Sequence, residues 1–399
     1  MQFEPTGRII SCMHFATKAL RVGQDPDPKF RAVVPPIYQS STFAWEDLDH
    51  IPPIDYSRCQ NPTREMLEKV IAALENGSCC TVFSSGMAAV AATFALLQQG
   101  DHLLVASDIY GGTFRLAEKY LPRNGVSYSS FDAQNPESIR SVIQATTKLL
   151  IFEGPTNPTM RVPDIKKVTD IAHEYGLTVV FDNTFASPAL QNPLDLGVDI
   201  VLHSTTKYIS GHSDVVGGAT ITNNEELAYF IYEWNKAFGS NPSPFDNWLS
   251  LRGIRSLSCR MERHCKNAQE IAEYLETNPR VTKVHYPGLP SHPDHEIAKQ
   301  QMSDFGGMVS IEFETVEEAR WVAENVNVFL LAESLGGVES LIAYPPLMSH
   351  ATMTEEQRLE RGIPPTMLRL SIGIEDARDL IEDLKQAIAS APTKVTANA

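Results

Sequence analysis

The 399-residue chain has only six cysteines, Cys12, Cys59, Cys79, Cys80, Cys259 and Cys265, with no C-x-x-C spacing. Neither a disulfide framework nor a zinc site is signalled, so reduced packing residues are expected, with Cys79 and Cys80 in sheet core. No G-x-G and no Gly-Lys pair occurs, which removes the dinucleotide fingerprint and the phosphate loop of nucleotide triphosphatases. The longest apolar run, "AAVAATFALL" at 88–97, is too short to span a bilayer. The first residues, "MQFEPTGRIISCMHF", lack the charged-then-apolar order of a secretory signal, so a cytoplasmic protein is expected. Basic residues are in deficit, 33 Lys plus Arg against 49 Asp plus Glu for a net charge of −16. Nucleic acid and anionic membrane surfaces would be repelled.

What is present is a globular composition, 43% hydrophobic and 21% charged, long enough for two domains. Residues 1–58 are rich in Pro, Asp, Ser and Thr without a sustained helical period, which predicts an extended arm over another subunit or domain. From 59 to 250 short apolar runs ("CCTVF", "HLLVA", "VSYSSF", "KLLIFE", "LTVVFD", "VDIVLH", "GGATIT") alternate with helical patterns over 63–76, 86–98, 112–121, 136–145, 163–175 and 225–237. That alternation predicts an α/β domain with a mostly parallel sheet covered on both faces. A single long helical pattern is expected from Phe245 to about Glu276. Within 251–399, strands "TKVHY", "GMVSIEF" and "MLRLSIG" and helices over 315–325 and 376–390 make a smaller α+β domain. The final "APTKVTANA" reads as frayed.

Ligands of such sheets collect at the carboxyl ends of the strands, so the residues after "FSS", "IFE", "VFD" and "VLH" are where chemistry is sought. "SSGMAAV" at 84–90 joins a strand to a helix, where free N–H groups and the helix dipole suit a phosphate, although a plain N-cap by Ser85 is the better account of the motif taken alone. Lys207 follows "VDIVLH" among Ser204, Thr205 and Thr206, ahead of a glycine-rich segment. A partly desolvated lysine there has a lowered pKa and can condense with an aldehyde. Asp182 ends the apolar strand "LTVVFD" and needs a cationic partner. Two arrangements stay open: a simple Asp182–Lys207 ion pair, or a pyridine ring between them, its nitrogen on Asp182, its aldehyde on Lys207, its phosphate at Gly86, Ser204 and Thr206. The second is what pyridoxal phosphate requires.

The segments "YSRCQNPTR" (56–64), "SSGMAA" (84–89), "DIYGGTFR" (108–115), "PTNPT" (155–159), "DNTFASP" (182–188), "HSTTKYISGHSDVVGG" (203–218) and "AESLGGVESL" (332–341) resemble, in order, the Cys/Met-metabolism family of pyridoxal-phosphate enzymes. That resemblance implies the type I aminotransferase-like fold, a homotetramer built from two tight dimers, and pyridoxal 5'-phosphate as cofactor. It implies that Lys207 carries the cofactor aldehyde, Asp182 pairs with the ring nitrogen, Tyr110 stacks on the ring, and Gly86, Met87, Ser204 and Thr206 hold the phosphate. Tyr56 and Arg58 would reach the phosphate of the neighbouring subunit. Arg369 in "MLRLSIG" resembles the clamp for the substrate α-carboxylate, assisted by Asn157 and Ser334; its planar fork suits that task.

The family includes cystathionine γ-lyases, γ-synthases and β-lyases and methionine γ-lyases. Gly112 after the Tyr-Gly pair is unlike the Cys of methionine γ-lyases. Glu333 before the Ser-x-Gly-Gly motif is unlike the Tyr of bacterial β-lyases, and with Asp55, Arg115 and Tyr56 it would bind the distal end of cystathionine. "NPSPFDNWLSLRGIRSL" (241–257) is similar to the lyases, whereas Asp55 before Tyr-Ser-Arg also occurs in synthases. The expectation is a γ-lyase that splits cystathionine into cysteine, 2-oxobutanoate and ammonia. Lys207 would be acid and base, and Tyr110 a candidate for protonating the leaving sulfur. The synthase is the first alternative, and a scaffold of the same fold without the chemistry is the alternative from another class. His292 and His295 have metal-pair spacing but are expected in a solvated loop without a third ligand, and His203, His212 and Asp214 are expected to line or orient the lysine rather than bind metal.

Overall fold

The computed structural model describes residues 13–27 and 29–392. Cys12, the first residues of the arm and all but the start of the C-terminal "APTKVTANA" fall outside them. Two sheets organise the chain. The first contains β1 (Cys79–Phe83), β2 (His102–Ala106), β3 (Ser127–Phe131), β4 (Thr147–Glu153), β5 (Thr178–Asp182), β6 (Ile200–His203) and β7 (Gly218–Thr222), in the order β1-β7-β6-β5-β4-β2-β3. Strands β2 to β6 run parallel to one another, while β7 is antiparallel to both β1 and β6. Strands β4, β5 and β6 carry almost unbroken apolar side chains because helices cover both faces. Phe152 and Phe181 meet edge-on at 4.8 Å between ring centroids in the centre of that core.

The second sheet contains β8 (Val281–His285), β9 (Met308–Phe313), β10 (Leu330–Leu331), β11 (Leu341–Ala343) and β12 (Met367–Ser371), in the order β10-β11-β12-β9-β8. It is antiparallel except between β10 and β11. Its core is a separate apolar cluster closed by helices Leu257–Glu276, Val316–Asn325 and Ala377–Ser390. The two short strands β10 and β11 frame the "AESLGG" segment and bring it over the first sheet.

Three expectations need correction. The arm is not wholly extended, since Phe15–Arg21 is a helix packed on helices Pro62–Leu74 and Leu257–Glu276; seven residues that bury only Ala19 leave no period to read. The long helical pattern from 245 is two helices, Pro244–Ile254 and Leu257–Glu276. A close approach interrupts it: a Cβ on Gly253 would lie 2.1 Å from the Ser210 carbonyl oxygen, and the Gly253 carbonyl accepts from Ser256 Oγ and Arg260 Nη2. The helix expected over 136–145 is only a 3₁₀ turn, Pro136–Ser138, followed by Ile139–Val142. The five described cysteines are free, but Cys259 is exposed and Cys79 and Cys80 only half-buried, so packing explains just Cys265 fully.

Candidate active site

Strands β4 and β5 end side by side at Glu153 and Asp182, which are register partners, and Asp182 in turn faces Leu202 of β6. These ends form the floor of a cavity of about 490 Å³, roofed by β12 and the loop before β11. Asp182, Lys207, Tyr110, Arg369, Asn157 and Ser334 all line it.

No ion pair joins Asp182 to Lys207. Asp182 Oδ1 accepts from the Thr184 N–H at 3.0 Å and from Thr184 Oγ1 at 2.5 Å, which leaves Oδ2 for a cation in the cavity. Burial raises its carboxyl above the usual range, opposed by those Thr184 bonds and by His203. Lys207 Nζ instead donates to Ser334 Oγ at 2.7 Å. Burial, and after it the Arg369 charge, lowers the Lys207 amine from 10.5 to about 8, with Glu333 pulling the other way. The simple ion pair is therefore excluded, and both groups face the space between them.

The end of that space at helix Gly86–Phe94 is a cup. Ser85 does cap the helix, its Oγ accepting from the Ala88 N–H at 3.1 Å, and it lines the cavity as well. A Cβ on Gly86 would lie 2.9 Å from Ser204 Cβ, so the bare glycine lets the helix N-terminus close on Ser204. Met87, Ser204 and Thr206 complete the wall. Thr206 Oγ1 is fixed between the Gly217 carbonyl and the Gly217 N–H at 3.2 and 3.0 Å. Helix-terminal N–H groups with hydroxyls around them suit a phosphate. The donor set therefore fits pyridoxal phosphate: an amine of lowered pKa, an acid with one free oxygen, and an anion cup at the far end.

On the roof, Arg369 is 4% exposed. Its Nη1 donates to Asn157 Oδ1 at 2.9 Å and its Nη2 to the Ser334 carbonyl at 2.8 Å. Its Nε is buried with no hydrogen-bond partner, and burial lowers the guanidinium to about 10. A buried cation at the wall of a cavity suits a carboxylate. Ser334 adopts φ 86°, a left-handed conformation costly for a residue with a Cβ, which aims its hydroxyl at Lys207 while its carbonyl meets Arg369. Tyr110, 42% exposed, stands at the cavity wall with Glu333 and Arg115. Its hydroxyl is raised by burial first and by Glu333, against Arg115.

Tyr56 and Arg58, expected at a neighbouring subunit's phosphate, and Asp55, expected at the distal end of the substrate, do not line this chain's cavity. Tyr56 is exposed with Arg58 over its ring, Arg58 Nη1 donates to the Lys236 carbonyl at 2.7 Å, and the Asp55 carbonyl accepts from Phe43 N–H in the arm. His203 and His212 do not line it either. His203 Nε2 meets Glu75 Oε1 at 2.5 Å in a buried pair behind β6, and His212 Nδ1 meets the Ser210 carbonyl. Nor are His292 and His295 in a solvated loop: His292 is buried and accepts from the Asp294 N–H, and His295 stacks on Phe305. Sequence reasoning missed Glu153 and Thr184. Glu153 had a readable signal, an acid ending the apolar strand "KLLIFE", the same pattern that drew attention to Asp182.

Among the described residues no helix is long and apolar enough to cross a membrane. The family model for Cys/Met metabolism PLP-dependent enzymes matches residues 16–389. The cystathionine β-lyase of Coxiella burnetii is 46% identical over 378 residues, 94% of this chain and 98% of the relative. The cystathionine γ-synthase of Mycobacterium leprae is 48% identical over 376 residues, 94% of this chain and 96% of the relative. A crystal structure of cystathionine γ-lyase from Lactobacillus plantarum, complexed with L-serine, aligns with a TM-score of 0.93 at 42% identity over 95% of this chain and 99% of that one.

Proposed function

The chain belongs to the Cys/Met metabolism family of pyridoxal-phosphate-dependent enzymes, and from that premise we propose that it is a cystathionine γ-lyase. The reaction is an α,γ-elimination that releases cysteine, 2-oxobutanoate and ammonia. The observation that carries this choice is Glu333, which lines the cavity with Arg115 and Tyr110. A carboxylate and a guanidinium there match the amino and carboxylate groups at the distal end of cystathionine, a pairing that methionine cannot use.

Pyridoxal 5'-phosphate supplies an electron sink for negative charge at the substrate Cα. Lys207 would hold its aldehyde, Asp182 its ring nitrogen, Tyr110 its face, and Gly86, Met87, Ser204 and Thr206 its phosphate. Arg369, which lines the cavity, binds the substrate α-carboxylate and is kept in place by Asn157 and the Ser334 carbonyl. Its lowered pKa suits the Lys207 amine to take the Cα proton, with Ser334 Oγ in hydrogen-bond reach of its nitrogen. Tyr110, held at the same wall, is the group that delivers a proton to the leaving sulfur.

Tyr56, Arg58 and Asp55, displaced from their own chain's cavity, serve a second copy's site within a homotetramer; their exposure in the arm supports this. Unpaired cysteines agree with a cytoplasmic location. The second reading is the γ-synthase, favoured by Asp55 and by the Mycobacterium relative of that name. The purified enzyme, offered cystathionine, methionine, and acylated homoserine with cysteine, should release 2-oxobutanoate fastest from cystathionine. Pyruvate without 2-oxobutanoate from cystathionine, or new cystathionine as the main product, would overturn the γ-lyase reading.

A further inference from the structure

Glu153 is a buried acid at the site to which no task has been given. It is 6% exposed, ends β4, and faces the cavity beside its register partner Asp182. Its two oxygens go to two different loops. Oε2 accepts from the Tyr110 N–H at 2.8 Å and Oε1 from the Asn157 N–H at 3.3 Å.

The Tyr110 end matters because Tyr110 is the N-cap residue of helix Gly111–Lys119 and makes no side-chain cap hydrogen bond of its own. Glu153 reaches across from β4 to anchor that residue's backbone, and an acid at a helix N-terminus is favoured by the dipole. The Asn157 end matters because Asn157 Oδ1 is the acceptor for Arg369 Nη1. From there the contacts continue through Arg369 Nη2 to the Ser334 carbonyl and from Ser334 Oγ to Lys207 Nζ. Tyr110, Glu153, Asn157, Arg369, Ser334 and Lys207 thus form one unbroken polar chain around the cavity.

We propose that Glu153 is a positioning residue that couples the aromatic wall to the carboxylate clamp, setting Tyr110 and the Asn157–Arg369 pair with one carboxyl. This rests on the roles given above to Tyr110 and Arg369. The geometry demands an acceptor with two arms of this length. A glutamine presents an NH2 to one of two N–H donors, and an aspartate is one methylene too short to span both loops.

The test uses the cofactor-loaded enzyme and glycine, an amino acid with no side chain to eliminate, titrated by the visible absorption of the bound cofactor. In E153Q the Kd for glycine and the KM for cystathionine should both rise about tenfold or more, with a smaller change in kcat and only a modest fall in the thermal midpoint of the cofactor-free protein from the mismatched buried amide. E153D carries the same expectation and replaces E153Q if that variant does not accumulate folded. In a double-mutant cycle with Asn157→Ala, the two effects on the glycine Kd should be non-additive. Wild-type glycine binding in E153Q or E153D would overturn the proposal. So would strict additivity, or a loss of thermal stability and cofactor content that accounts for the whole effect. Failure of the γ-lyase reading shows separately, as cofactor-loaded wild type that binds glycine yet yields no 2-oxobutanoate.

Discussion

Lys207→Met should stabilise the cofactor-free protein near neutrality. Burial lowers the Lys207 amine from 10.5 to about 8, so between those values the unfolded chain binds the extra proton and stability rises with pH. The penalty of holding the charged amine is full below pH 8 and is lost as pH rises towards 10.5. At roughly 1.4 kcal/mol per unit it is about 3 kcal/mol at pH 7 and about 1.4 kcal/mol at pH 9.5. Losing the 2.7 Å bond to Ser334 Oγ returns about 1 kcal/mol. The net expectation is a gain of about 2 kcal/mol at pH 7 that falls to nearly nothing at pH 9.5. Urea unfolding of the cofactor-free wild type and variant at the two pH values measures it. A variant that is less stable at pH 7, or a difference that does not change with pH, would refute the reasoning. The same shift has a kinetic side, since it makes the neutral amine about 300 times more abundant at pH 7 than in an ordinary lysine. Cofactor uptake by the wild type should accordingly speed up with pH and level off above about 8.

Gly86→Ala places a Cβ 2.9 Å from Ser204 Cβ; opening the cup by overpacking costs about 1–3 kcal/mol, so the cofactor Kd should rise from about fivefold to a hundredfold, read by equilibrium titration. Glu333→Ala should raise the KM for cystathionine about tenfold through loss of one charged hydrogen bond, with steady-state kinetics showing little change for methionine, which has no distal amino group. Glu75→Ala strands the His203 ring and the Asn183 amide that Glu75 Oε1 holds at 2.5 and 2.8 Å, so the thermal or urea midpoint should report a loss of about 3–5 kcal/mol. A loss under about 1 kcal/mol would mean that the pair relaxes or takes in water.

How much was legible depended on whether the signal was local. Strands β4, β5 and β6 were readable because a sheet buried on both faces writes an apolar run, and a polar residue at its end marks the ligand edge. Asp182 and Lys207 were found this way. Their relation was not, because what separates them is Ser334, 127 positions beyond Lys207, and Thr184, whose hydroxyl carries no pattern. Arg369, Asn157 and Ser334 came only through the family resemblance, since no period joins β12 to the "PTNPT" loop. Strands β10 and β11, with two and three residues, are too short for alternation to register. The break before Leu257 depends on a contact between Gly253 and Ser210 that neither helix announces.

The site is held in a state that suits a ligand more than it suits the free protein. Asp182 is raised and Lys207 lowered by burial, so both lean towards their neutral forms, and Arg369 is lowered with one donor unmet. Each of these is a cost to the folded chain, and the first two would be reduced if Asp182 met Lys207 directly. In the structure each meets a neutral hydroxyl instead: Thr184 donates to Asp182 Oδ1, and Ser334 Oγ accepts from Lys207 Nζ. Neutral partners fix the position of a charged group without cancelling it. A ring nitrogen, an aldehyde and an α-carboxylate would each meet one of the three uncompensated groups. Binding energy is then realised where the chemistry takes place, rather than at a remote surface.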